Sequence, residues 1–456
     1  MLTRIEIDGF KSFSGFGLDI APFEVILGPN ASGKSNLFDA IRLLSRLADT
    51  DLRTAVKGLR GEPHELFRRL PDGTPSARMA FAIEVLLHPT VTDPWGATKP
   101  ISHSRVRYEV EIERRRDARG IERLVVARED ARPILSTHDT WRPGGRDLSP
   151  QFRQAFMKYG RRTPWLSTVE TEGVPSFQIH QDGRAGRKRP AEAAEATVLS
   201  SITSAEFPHL YSLHEELRSW RFIQLDPAAL RRPSPVTASD ELEPDGSNLA
   251  TVLARIKAET ATTVQPKGML ADIVADLTAL IPGVVDVSVE EDRRNREYRI
   301  DVAMRGGPPF SSRVISDGTL RILALLTLLH DPKQRGLVCF EEPENGVHPA
   351  RLKELIKRLR ALVTDPSIPE LDDTDALSQI LVNSHSPVVL SALGDDQALF
   401  SDLVAEVDPH EKTVSYKTRI RPIEPEDQGE LWLDDSRSYV SRYEAERYLS
   451  TAVREY

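Results

Sequence analysis

Cysteine is nearly absent from this chain: Cys339 is the only one among 456 residues. A single thiol excludes an internal disulfide and a cysteine-built zinc site, and it makes a cytoplasmic location the default expectation. No apolar run is long enough to span a bilayer, so no membrane-crossing segment is expected. The opening Met1-Leu2-Thr3-Arg4-Ile5-Glu6-Ile7-Asp8 alternates like a strand and does not read as a signal peptide. Positive charge is not in excess either. The net charge is −9, which excludes a wholly basic DNA-binding module. Internal repeats and sustained heptads are lacking, so a long coiled-coil arm is not expected. What remains is an ordinary globular composition, 39% apolar and 28% charged, long enough for two or three domains.

The most informative run is Gly28-Pro29-Asn30-Ala31-Ser32-Gly33-Lys34-Ser35-Asn36. It satisfies the P-loop pattern G-x-x-x-x-G-K-[ST] and has the flanks that the pattern needs. Phe23–Leu27 reads as a buried strand, and Asn36–Leu44 has the apolar spacing of a helix. Glycines let backbone N–H groups curl around phosphate oxygens, and the helix N-terminus adds partial positive charge. The candidate cradle is therefore Asn30, Ala31, Ser32, Gly33, Lys34, Ser35 and Asn36. Lys34 is placed to reach the β- and γ-phosphates of ATP, and Ser35 to offer its hydroxyl to Mg²⁺.

Strand-like alternation returns at Arg78–Val85, Val106–Ile112 and Glu122–Val126. Residues 135–200 are rich in Pro, Gly, Arg and Ser and read as an irregular insertion. Residues 200–280 read as mainly helical, with Asp245-Gly246-Ser247-Asn248 as an N-cap cluster ahead of Leu249–Ile256. From about 310 helix and strand alternate, and the last 45 or so residues read as a polar, acidic tail. Short basic clusters stand at Arg114–Arg116, at Arg184 with Arg187–Arg189, and at Arg293-Arg294 with Arg296. They are either solvated faces or a stripe that contacts phosphates without sequence preference.

Leu337-Val338-Cys339-Phe340-Glu341-Glu342 is an apolar strand that ends in two acids. In a P-loop ATPase the first acid, here Glu341, holds Mg²⁺ directly or through water, and the second, Glu342, polarises the attacking water. Glu341 stands where aspartate is commoner, which suggests an outer-sphere contact. Cys339 reads as core filling. Upstream, Ser316, Asp317 and Gly318 open a strongly apolar helix. They read either as an ordinary N-cap or as a γ-phosphate contact. Downstream, Ile380–Pro387 is a buried strand that ends in Asn383-Ser384-His385-Ser386. His385 reads either as a structural histidine or as a γ-phosphate partner.

In this order the pieces resemble the ABC-type ATPase heads of the SMC, RecF and OLD group. The P-loop is Gly28–Ser35, the signature is Ile315-Ser316-Asp317-Gly318-Thr319, Walker B is Leu337–Glu342, the D-loop lies in Glu344–His348, and the switch histidine is His385. The opening Ile5–Phe13 looks like this group's first strand and its Phe-Lys-Ser-Phe turn. Glu341–Pro349 and Asn383–Pro387 match the compact bacterial OLD-like branch. Two positions depart from the pattern. Asp317 replaces the second glycine of the signature, and the Q-loop glutamine has only Gln224 as a candidate.

The resemblance implies an α/β P-loop NTPase of ABC-ATPase type: a mixed central sheet flanked by helices, an antiparallel β subdomain and an inserted helical lobe. Residues 1–130 would carry the P-loop half and 131–280 the insertion. Residues 281–400 would carry the signature, Walker B and His385, and 401–456 a tail. It further implies a homodimer, or a higher homo-oligomer, that closes around ATP and Mg²⁺. The stretch after His385 is short beside an ordinary domain of about 100–150 residues. It lacks a glycine-flanked glutamate and an Asp-x-Asp; Asp395-Asp396 and Asp434-Asp435 read as surface pairs. An effector nuclease or toxin is therefore expected in trans, as in two-component antiphage systems. The alternatives are a RecF-like factor on double-stranded DNA and a nucleotide-gated scaffold with slow turnover. No membrane partner is implied.

Overall fold

The computed structural model describes residues 1–116, 120–171, 174–181, 184–345, 347–369, 371–372, 375–393, 398–408, 413–424 and 439–452. Gly346 of the D-loop and the acid pairs Asp395-Asp396 and Asp434-Asp435 lie outside the described residues. The chain divides into two compact units, Met1–Trp220 with Thr364–Gln379 and Gln397–Tyr456, and Arg221–Val363 with Ile380–Asp396.

The first unit is built on an eight-stranded antiparallel sheet. Its order is Arg184–Pro190, Val174–Gln181, Leu166–Thr171, Glu122–Pro133, Arg105–Arg116, Arg78–Leu86, Leu2–Asp8 and Phe16–Asp19. Period-two patterning sets the faces. Ile5 pairs with Ile83 and Ile7 with Phe81, and all four are buried. Across the sheet Phe177 and Ile179 are buried as well. Residues 166–190 therefore form three strands where composition suggests irregular chain. Leu166, Phe177 and Ile179 pack inward among Ser, Thr, Gln and His, while Arg187–Pro190 are exposed, so the segment reads as polar.

Burial raises the pKa of two carboxylates in this unit, Glu129 and Glu24. Glu129 accepts from the Tyr108 hydroxyl at 3.0 Å and from the amides of Val198 and Leu199 at 2.5 and 3.0 Å. Burial outweighs these bonds and pushes its pKa up to about 7. Glu24, on the strand Phe23–Leu27, accepts from the Ala21 amide at 3.3 Å, and burial raises it to about 8.

That strand is the P-loop strand. It pairs in parallel with Ala398–Asp408, Ile26 opposite Leu399 and Leu27 opposite Phe400. Ala398–Asp408 in turn forms an antiparallel hairpin with Thr413–Glu424. Much of the expected tail is thus sheet beside the P-loop. Its alternation of charged and apolar residues reads as an acidic surface until the pairing is known.

In the second unit Arg221–Ile223 runs parallel to Gly336–Glu341, with Phe222 opposite Cys339. Leu337 to Phe340 are all buried, the continuous apolar run of a sheet covered on both faces. The helix Asp317–Leu329 is buried nearly all round, as its unbroken apolar sequence requires. The hairpin Val284–Asp292 and Glu297–Met304 buries Val287 against Val302 and Val289 against Ile300. The helix Leu249–Thr260 begins where its cap cluster places it. Asn248, however, does not cap it. Its side chain accepts from the Glu243 amide at 2.8 Å and donates to the carbonyls of Ser239 and Glu241 at 2.9 and 2.7 Å, latching the preceding loop.

Candidate functional site

The P-loop lies in the first unit, and its glycines are demanded by close backbone approach. Gly33 has φ +98°, and a Cβ there would fall 1.9 Å from Thr418 Oγ1. A Cβ on Gly28 would fall 2.3 Å from the Ser401 carbonyl oxygen. The 398–424 hairpin therefore underlies the loop. Thr418 Oγ1 donates to the Ser32 carbonyl at 3.2 Å, and Ser401 Oγ donates to the same oxygen at 2.9 Å. Ser12, in the turn after the first strand, completes the support. Its hydroxyl lies 2.6 Å from Thr418 Oγ1 and accepts from Asn36 Nδ2 at 2.8 Å.

Ala31 is held at φ +63°, a left-handed conformation that turns consecutive amides to one side. The following helix, Lys34–Leu47, has no side-chain cap and no acid in its first turn. Its N-terminus keeps the positive end of the dipole for an anion. Lys34 is buried, and its ammonium donates to the carbonyls of Gly28 and Pro29 at 2.7 Å each. Ser32 Oγ is buried with no hydrogen-bond partner among the described residues, inside a loop otherwise shaped for phosphate. Asn30 and Ala31 are exposed at the tip.

A second cation stands at the same turn. Arg60 donates to the Ser35 carbonyl at 2.5 Å and, through Nε, to Asp39 at 3.1 Å. Lys11 donates to the same Asp39 oxygen at 2.6 Å. The buried Asp39 carboxylate thus holds two cations beside the first turn of the P-loop helix. Lys11 belongs to the opening turn read above. Arg60, Thr418 and Ser401 carry no local motif that marks them.

Glu341, Glu342, Ser316 and His385 lie in the second unit. Glu341 is the last residue of its strand. Glu342 follows at φ +51°, an uncommon conformation for a side-chain-bearing residue and one often found at active sites. Its amide donates to the Asn383 carbonyl at 3.0 Å. Both of its carboxylate oxygens are held: Asn345 Nδ2 donates to one at 2.7 Å, and His385 Nδ1 lies 3.1 Å from the other. A carboxylate only accepts, so His385 carries its proton on Nδ1 in this contact. Beside it, the Ser384 hydroxyl donates to Glu344, whose second oxygen is buried without a hydrogen-bond partner among the described residues. Burial raises the Glu344 pKa.

Ser316 caps the helix Asp317–Leu329. Its hydroxyl accepts from the Thr319 amide at 3.3 Å and lies 2.8 Å from Thr319 Oγ1. His348 caps Pro349–Ala361, accepting from the Ala350 amide at 3.2 Å. Gln224 is exposed just after its strand, with its amide donating to the Pro244 carbonyl at 2.9 Å. Asn345, inside the Glu341–Pro349 stretch, gains a role from the fold as a partner of Glu342.

Comparison with known proteins agrees with these features. The profile of a family described as "AAA domain, putative AbiEii toxin, Type IV TA system" matches residues 23–156 and 172–391. The chain belongs to this AAA family. Structural maintenance of chromosomes protein 1 of Schizosaccharomyces pombe is 40% identical over 91 residues, 19% of this chain and 7% of that protein. The chromosome partition protein Smc of Synechococcus sp. is 36% identical over 100 residues, 21% of this chain and 7% of that one. The match therefore spans a small fraction of the length of these relatives. Among solved structures, an SmcHead bound to the C-winged helix domain of ScpA has a TM-score of 0.48 at 13% identity, covering 92% of this chain and 98% of that one. The SMC head domain from Thermotoga maritima has a TM-score of 0.39 at 12% identity, covering 93% and 99%. Among the described residues of this AAA-family chain, no helix is long and apolar enough to cross a membrane.

ATP and Mg²⁺, which an AAA family implies, fit the residues present. The uncapped helix end, the left-handed Ala31 and the orphaned Ser32 hydroxyl suit a polyphosphate. Mg²⁺ needs few protein ligands when phosphates and waters supply the rest, and in the first unit Ser35, beside the P-loop lysine, is the residue that would hold it.

Proposed function

We propose that this chain binds ATP and Mg²⁺, hydrolyses ATP in a homodimer that the nucleotide closes, and serves as the regulatory subunit of a two-component antiphage system with a nuclease or toxin in trans. The observation that carries the enzymatic part is Glu342. Its backbone is strained, and its two oxygens are gripped by Asn345 and His385, which points the carboxylate in one direction. A base held this way is preorganised to orient a water.

In this reading Lys34 and the amides of residues 30–36 hold the β- and γ-phosphates, and Arg60 adds charge at the same turn. Bound Mg²⁺ supplies charge neutralisation on those phosphates. Glu342 accepts the proton of the attacking water. For His385 to donate to phosphate from Nε2 while Nδ1 holds Glu342, the ring must carry both protons. Ser316, Asp317 and Gly318 meet the γ-phosphate of the partner subunit's nucleotide, and its loss on hydrolysis removes charge-assisted bonds and opens the dimer.

The defence role rests on the toxin–antitoxin wording of the family and on the OLD-like motifs Glu341–Pro349 and Asn383–Pro387. A tagged chain pulled down from its native genomic setting with ATP and Mg²⁺ tests it. A neighbour-encoded nuclease or toxin in fixed ratio is the expected result. A homodimer that carries only double-stranded DNA would instead support a chromosome-maintenance role. That second reading is favoured by the local identity to Smc proteins. A dimer that forms with ATP but turns over negligibly would reduce the chain to a nucleotide-gated scaffold.

A further inference from the structure

The signature departs from its pattern at Asp317, and the second unit holds a partner for that departure. Asp317 is the first residue of a 13-residue helix. A carboxylate there takes the positive helix end for itself and opposes a second anion at the same turn. Arg231 lies against it. The guanidinium ion-pairs with Asp317, donates through Nη2 to the Ile315 carbonyl at 3.1 Å, and donates through Nη1 to the Pro227 carbonyl at 3.2 Å. The return contact is backbone-anchored: Ser312 Oγ donates to the Arg231 carbonyl at 3.0 Å. One planar fork therefore joins the two residues that flank Ser316 and ties them to the segment Pro227–Arg231.

We propose that Arg231 is a positioning residue of the signature turn, neutralising Asp317 so that Ser316 and the helix end can receive an anion despite the missing glycine. This rests on the ATP-closed dimer proposed above. The physical reason is charge. An uncompensated Asp317 would face the terminal phosphate of a triphosphate as a like charge in a half-buried place. With Arg231 in register the charge of Asp317 is neutralised at the turn. A glycine at 317 would need no such partner. Arginine and aspartate thus replace together what one glycine does in the more usual signature.

The test is a double-mutant cycle in the Glu342→Gln background, reading ATP-dependent dimer formation by analytical ultracentrifugation. Binding of a fluorescent ATP analogue by the isolated subunit reports the P-loop separately. Arg231→Gln is expected to weaken the ATP dimer by about tenfold or more, since a two-fold dimer repeats the loss at both sites. Analogue binding by the subunit should change less than about threefold, within the range of one weak exposed contact. Adding Asp317→Gly to Arg231→Gln should restore most of the dimer, because the charge that required the arginine is gone. Arg231→Lys, which keeps charge and loses the fork, should fall between, and it serves if Arg231→Gln fails to fold. A double variant as weak as Arg231→Gln alone, in a chain that otherwise dimerises with ATP, would overturn this inference and leave the dimer reading intact. A parent chain that binds the analogue yet stays monomeric at saturating ATP would overturn both.

Discussion

Thr418 Oγ1 occupies the place where a Cβ on Gly33 would have to go, 1.9 Å from it. The contact joins the last P-loop glycine to a hairpin nearly four hundred residues away in sequence. Gly33→Ala should therefore fail twice, through the steric clash and through a φ of +98° that alanine resists. Expected is a loss of nucleotide binding together with a melting point lower by several degrees. Thr418→Ala keeps the loop conformation and removes the hydroxyl from Ser32 and Ser12. A buried hydrogen bond is worth about 1 kcal/mol net, so ATP affinity should fall about five- to tenfold. Calorimetric titration of both variants checks this, and an unchanged affinity for Thr418→Ala would dismiss the hairpin as a support.

Glu342→Gln should leave ATP binding intact and slow hydrolysis by about 10² or more, the usual share of a general base. Asn345→Ala, which frees one oxygen of Glu342, should slow turnover about tenfold with little change in KM. Phosphate release under saturating ATP measures both. Wild-type turnover by Glu342→Gln would remove Glu342 from the mechanism.

Lys34→Ala is expected to weaken ATP binding by about 10² or more, through the loss of charge-assisted bonds to the phosphates. Thermal shift gives a simple reading. Ligand at a hundred times its Kd stabilises the native state by about 2.7 kcal/mol, so the wild type should gain several degrees with ATP and Mg²⁺. At the same ligand concentration a hundredfold weaker variant should gain only about 0.4 kcal/mol, a degree or less. An equal gain in the variant would place the nucleotide elsewhere.

The buried carboxylates predict a pH dependence of stability. Glu129 is raised to about 7 and Glu24 to about 8 in the folded chain, above the ordinary value of 4.5. The native state then holds more protons than the unfolded state between pH 4.5 and these values, so their contribution is fully present below 4.5 and is lost as pH rises through 7 and 8. For Glu129 the loss is on the order of 3 kcal/mol. Glu129→Gln stays neutral, so its melting point relative to wild type should climb between pH 5 and pH 8. A difference that is constant over that window would show that the hydrogen bonds from Tyr108, Val198 and Leu199 already keep the acid charged.

Several features were legible in the sequence because their physics is local. A P-loop is made by consecutive amides between a strand and a helix, so nine adjacent residues suffice to announce it. Cap and apolar run placed the helix at Asp317, and the apolar strand placed the acids at its end. Other features were decided by tertiary structure alone. The strands Leu166–Thr171, Val174–Gln181 and Arg184–Pro190 show no strong pattern because few of their residues, Leu166, Phe177 and Ile179 among them, are apolar and buried in the sheet. The hairpin of Ser401 and Thr418 reads as tail until it pairs beside the P-loop strand. His385 comes to Glu342 from beyond a strand, 43 residues on in the chain. Such contacts leave no mark in the sequence because spatial neighbours need share no spacing, composition or period. What the chain determined by itself is the chemistry it carries. What the fold decided is which side chains hold that chemistry in place.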